Sequence, residues 1–158
     1  MWPVGKLADG SVVDLQTVTS GKGYVTTHVF PDDTKLGWIT ALNPEKNIMM
    51  GYIWRTEEYP WLNVWHHPVD GKPYAQGLEF GTTGLGKPYK LLFENNVTFF
   101  GRNSFEFIEA GETLTKSFLC FLLEVPMDYG KTTELTVEGK YFVFKGNSEI
   151  KVIMPFPR

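Results

Sequence analysis

Two short stretches carry residues that could do chemistry. The first is Pro60 to His67. Read as a strand, it places Leu62, Val64 and His66 on one face and Trp61, Asn63, Trp65 and His67 on the other. Two indoles, an amide and an imidazole on one face suit a sugar. The C–H face of a pyranose stacks on an aromatic ring, and the hydroxyls need donors and acceptors. The competing reading is plainer: the tryptophans cover a core and the histidine is solvated at a strand end. The second stretch is Gly77 to Gly81. Glu79 alternates with Leu78 and Phe80, and its own face holds only Gly77 and Gly81. Glycine inside a strand often marks close approach of a ligand or another backbone. A carboxylate with cleared space beside it is a candidate general base. The alternative is an exposed glutamate on an edge strand with glycine bulges.

Other constellations are weaker. His28, His66, His67 and Glu79 could in principle hold a metal, but adjacent histidines on a strand point to opposite faces and make poor co-ligands. No metal and no cofactor is therefore expected. The glycines at 81, 84 and 86 lack the Lys-Ser/Thr ending of a phosphate-binding loop. Cys120 lies in an apolar run and reads as a core residue rather than a nucleophile. Arg55 and Arg102 are two of only three arginines, and either could contact a ligand; Arg55 is taken as the substrate-binding candidate.

The elements that must position these residues follow from composition and period. The chain has 158 residues, enough for one domain with a real core. Its net charge of −3 and pI of about 5.6 give no basic patch for nucleic acid. No apolar run reaches the ~18 residues of a membrane span. No signal peptide is visible at Met1 to Lys6, so a cytoplasmic location is expected. One cysteine excludes an internal disulfide. Five Trp, seven Tyr and twelve Phe, with 16 Gly and 10 Pro, favour an all-β domain with frequent turns.

A period of two dominates. Ser11 to Val18 and Lys22 to Phe30 read as strands. Lys35 to Trp54 reads as a hairpin turning at Asn43-Pro44-Glu45-Lys46. Pro60 to His67 and Ala75 to Thr82 are further strands, and Gly81 to Pro88 is a loop. Glu112 to Glu124 is apolar on both faces toward its end, which predicts a strand covered on both sides. Residues 131–155 read as a C-terminal three-stranded meander, turning at Glu138-Gly139 and Gly146-Asn147. The whole, 1–158, reads as a single antiparallel β-sandwich domain. Unpaired edges of the meander would allow a homo-oligomer.

The run Gly77-Leu78-Glu79-Phe80-Gly81-Thr82-Thr83-Gly84 follows an aromatic strand. It precedes Phe107-Ile108-Glu109-Ala110-Gly111-Glu112-Thr113 and a second aromatic strand. Together they resemble the C-terminal half of the aldose 1-epimerases, the galactose mutarotases, over roughly residues 24–124. The resemblance implies a partial β-supersandwich and a mono- or oligosaccharide ligand. In that family a glutamate takes the anomeric hydroxyl proton while a histidine protonates the ring oxygen. Glu79 matches the glutamate. The family's histidine segment has no counterpart here, and His67 would have to act as the acid. Three functions follow: a carbohydrate-binding sandwich without full catalytic machinery, a reduced mutarotase (an isomerase) using Glu79 and His67, or a structural assembly domain whose aromatics are only core.

Overall fold

The computed structural model describes residues 2–84 and 87–153. Leu85 and Gly86 of the glycine loop, and Met154 onward at the end of the meander, lie outside the described residues. Among the described residues the chain is all-β apart from one short helix, and every strand pair is antiparallel. It forms two compact units, each assembled from two separate stretches: Met1–Lys35 with Thr56–Thr115, and Leu36–Arg55 with Lys116–Arg158.

The first unit is centred on a three-stranded sheet. Its strands are β3 (Tyr24–Val29), β6 (Trp61–Val69) and β7 (Lys72–Gly81), in the order β3-β6-β7. A small hairpin, β1 (Val4–Lys6) with β2 (Val12–Asp14), precedes it. The strand foreseen over Ser11 to Val18 is therefore only three residues long. The β6–β7 turn is Asp70-Gly71, both at positive φ (51° and 72°). That is the two-residue turn whose twist matches antiparallel strands. Helix α1 (Tyr89–Glu94) and the hairpin of β8 (Thr98–Phe99) and β9 (Arg102–Asn103) complete the unit. Arg102 ties this hairpin to the loop after β3, donating to the Phe30 carbonyl at 3.3 Å and pairing with Asp32. The chain closes across Lys35 and Thr56: the Thr56 N–H donates to the Lys35 carbonyl at 3.2 Å.

The second unit packs two three-stranded sheets on one core. The first sheet has the order β10-β5-β4, from β4 (Leu36–Asn43), β5 (Ile48–Arg55) and β10 (Phe118–Glu124). The β4–β5 turn is held by the Asn43 side chain, which accepts from the Lys46 N–H at 3.1 Å. The second sheet is β11 (Glu134–Glu138), β12 (Tyr141–Lys145) and β13 (Glu149–Ile153). Met49, Ile53, Phe121, Val125, Tyr129, Phe142 and Phe144 form the shared core, and the Phe121 and Phe144 rings lie 4.8 Å apart. Burial of such side chains is the main favourable term in folding.

Two expectations are corrected in this unit. The 112–124 segment becomes a strand only from Phe118, and it is not covered on both sides. Leu119, Phe121 and Leu123 face the core, whereas Phe118 and Leu122 are exposed. Cys120 shares their face and is exposed, so it is not a core cysteine. The physical reason is position: among the described residues β10 pairs only with β5, at the edge of its sheet. An apolar run there has one buried face, even though its composition suits two.

Candidate functional site

Strand β6 sets the site, because its pleat sends 61, 63, 65 and 67 to one face. The even residues Leu62, Val64 and His66 are all buried. The odd residues do not share one fate.

Trp61 is fully buried. Phe99 stacks on its ring at 6.1 Å, and its Nε1–H donates to the Asn103 carbonyl at 3.0 Å. Gly84 lies so close to the indole that a Cβ there would collide with it. Trp61 is a core residue that anchors the β8–β9 hairpin and the loop after β7, and its ring has no face left for a ligand.

Asn63 is half-buried. Its Oδ1 accepts from the Thr27 hydroxyl at 2.9 Å, and its Nδ2 donates to the Thr83 carbonyl at 3.4 Å. Trp65 is 39% exposed. His67, also exposed, stacks on it at 5.0 Å with the rings 16° from parallel, and Tyr74 meets His67 edge-on at 6.1 Å. Across the sheet Trp65 pairs with Val25 on β3 and Gly77 on β7, while Asn63 pairs with Glu79. Glu79 is exposed. A Cβ on Gly77 would lie 3.1 Å from Glu79 Oε1 and 3.2 Å from Trp65 Cε3. The missing side chain at 77 thus lets an indole and a carboxylate close over the backbone side by side, with the Asn63–Glu79 pair next along the strands.

Arg55 stands elsewhere in the chain: it ends β5, in the other unit. His28 sits on β3 with Nε2 at 2.9 Å from the Thr26 hydroxyl, and the Trp2 ring meets it edge-on. Burial holds its pKa below the ordinary histidine value. No group of three or more His, Cys, Asp or Glu side chains among the described residues could hold a metal ion.

Comparisons with protein-family models, curated proteins and solved structures find no match. The structure bears out an all-β, antiparallel chain, and no comparison ties it to the aldose 1-epimerases.

A second polar group lies on the opposite face of the same sheet, and sequence reasoning passed over it. Tyr24, His66 and Gln76 are cross-strand neighbours in one row. The Tyr24 and His66 rings stack at 4.8 Å, and Gln76 Nε2 donates to the Leu15 carbonyl at 3.0 Å. The Tyr24 hydroxyl, both His66 ring nitrogens and Gln76 Oε1 are buried with no hydrogen-bond partner among the described residues. The signal was present: His66 is the polar member of an otherwise apolar face, Leu62-Val64-His66.

Proposed function

We propose that this chain is a carbohydrate-binding protein with a galactose mutarotase-like β-sandwich, and that it holds a saccharide without turning it over. The binding face is the outer face of β3-β6-β7. Trp65 supplies the stacking surface for the C–H face of a pyranose. The bare backbone at Gly77 leaves the indole and the Glu79 carboxylate side by side, and Glu79 and Asn63 offer an acceptor and a donor to the sugar's hydroxyls.

One observation carries the choice of binding over turnover. Mutarotation needs a base on the anomeric hydroxyl and an acid on the ring oxygen, and both oxygens are bonded to the same carbon. Glu79 stands opposite Asn63, and His67 stands opposite Ala75. Four residues of strand separate them, about 13 Å at the usual rise. The Trp65–Gly77 pair lies between, and the His67 ring is stacked against the indole. Acid–base catalysis requires both groups within hydrogen-bond reach of their protons.

The test is exchange NMR on the anomeric protons of a panel of free reducing sugars in their pyranose forms. Binding broadens or saturates sugar resonances, and turnover adds α/β cross-peaks. Broadening that disappears in Trp65→Ala, with no added cross-peaks, is the expected result. Cross-peaks abolished by Glu79→Gln would instead establish the epimerase. No effect on any sugar would remove the carbohydrate reading.

A further inference from the structure

The edges of the two sheets in the second unit are not alike. On β11 and β13, charged side chains stand along the strand: Glu134, Glu138, Glu149 and Lys151. Three of them cross-link the meander in two ion pairs, since Lys151 pairs with Glu138 at 2.9 Å and Lys145 of β12 with Glu134 at 3.2 Å. Charges of this kind discourage further strand pairing. β10 is the opposite case. Its residues 118–123 carry no charge and no proline, and its pairing with β5 runs without a bulge. Its outward face presents Phe118 (49% exposed), Cys120 and Leu122 (70%), and Met50 of β5 lies beside Leu122. One backbone edge of β10 has no strand partner among the described residues.

We propose that β10 pairs with β10 of a second copy of this chain, antiparallel, about a two-fold axis through Cys120. A strand edge is complementary to itself under such an axis. With the axis at Cys120, Phe118 meets Leu122 of the second copy, both exposed on the outward face. Apolar meets apolar, twice by symmetry. Moving the axis to Phe121 sets Phe118 against Glu124 instead, which matches neither. The product is one continuous sheet, β4-β5-β10 joined to β10-β5-β4. The two Cys120 side chains then face each other directly. Opposed Cβ atoms in such a pair stand about 4.5–5.5 Å apart, near the span of a disulfide.

The experiment is sedimentation equilibrium on the full chain, with cross-linking by diamide. Diamide takes up two electrons and two protons as two thiols join in one S–S bond. The expected mass is twice 18.0 kDa, and Cys120→Ser keeps it. Leu122→Lys and Phe118→Lys each halve it while the β circular dichroism is retained. Diamide converts the native chain to a covalent dimer that reductant reverses. If a variant loses its dichroism, the native mass and the native cross-link decide. A monomer throughout the micromolar range overturns the proposal. So does a dimer that survives both lysine substitutions and resists cross-linking at Cys120.

Discussion

Trp61 and Trp65 leave β6 on the same face, four residues apart, yet one is sealed and the other is 39% open to solvent. The difference comes from what lies above each ring. Phe99, Asn103 and Gly84 cover Trp61. His67 covers one side of Trp65 only. The pair provides an internal control. Trp61→Ala should cost about 3–5 kcal/mol of stability, the usual loss for a large buried aromatic. Trp65→Ala should cost less than about 1 kcal/mol of stability, and weaken saccharide binding by about 1 kcal/mol or more. Thermal unfolding and sugar titration of the two variants check this. Equal destabilisation would make Trp65 a core residue too.

Gly77 offers a test of that juxtaposition. Any Cβ at 77 crowds both Trp65 and Glu79. Gly77→Val should therefore lower saccharide affinity several-fold, by displacing the indole and the carboxylate. Its melting temperature should fall too, since the crowded neighbours must shift. Unaltered affinity in the folded variant would place the ligand away from Gly77.

His66 should be replaceable with profit to stability. Both its ring nitrogens are buried without partners, and an unsatisfied buried polar group costs about 1–3 kcal/mol. His66→Phe keeps the ring stacked on Tyr24 and removes two such atoms. Chemical denaturation should show a gain of about 1 kcal/mol. A loss would mean that the nitrogens are hydrogen-bonded in solution.

His28 gives the fold a dependence on pH. Burial lowers its pKa in the folded chain below the 6.5 of the unfolded one. Below that value the unfolded chain binds a proton that the folded chain resists. The contribution is present in full above pH 6.5 and is lost as pH falls toward the folded value. Melting temperatures of the native chain and His28→Gln, measured from pH 7.5 down to about 5.5, should show a shallower decline for the variant. Parallel curves would exclude the histidine as the source.

The legible part of this fold was its local pattern. Asn43 to Lys46 carries turn chemistry between two apolar runs, and the β4–β5 hairpin forms there with an unbroken register. The alternation in 61–67 assigned every side chain of that strand to its observed face. What sequence could not show was cover supplied from a distance. Nothing near Trp61 announces that Asn103 accepts its N–H from 42 residues away. Nothing in Phe118 to Glu124 states that the strand ends up at an edge, so its outer face looked as buried as its inner one. Arg55 joined the candidate site only because arginines are few, and chain position places it in the other unit.

The second unit is built from residues 36–55 and 116–158, which has a consequence for how the chain comes into being. During synthesis the β4–β5 hairpin leaves the ribosome early, and its sheet neighbour β10 arrives only after residue 117. A lone two-stranded hairpin is marginal in water. Met49 and Ile53 must wait, uncovered, while the intervening stretch is made. The first unit waits for a shorter stretch, since β6 begins at Trp61 after β3 ends at Val29, and Thr56 hydrogen-bonds back to Lys35 so that the chain after it can close on the strand already there. Vectorial synthesis therefore imposes an order: the aromatic-faced sheet of β3, β6 and β7 first, the core of the second unit last. The nascent hairpin is the species a chaperone would meet.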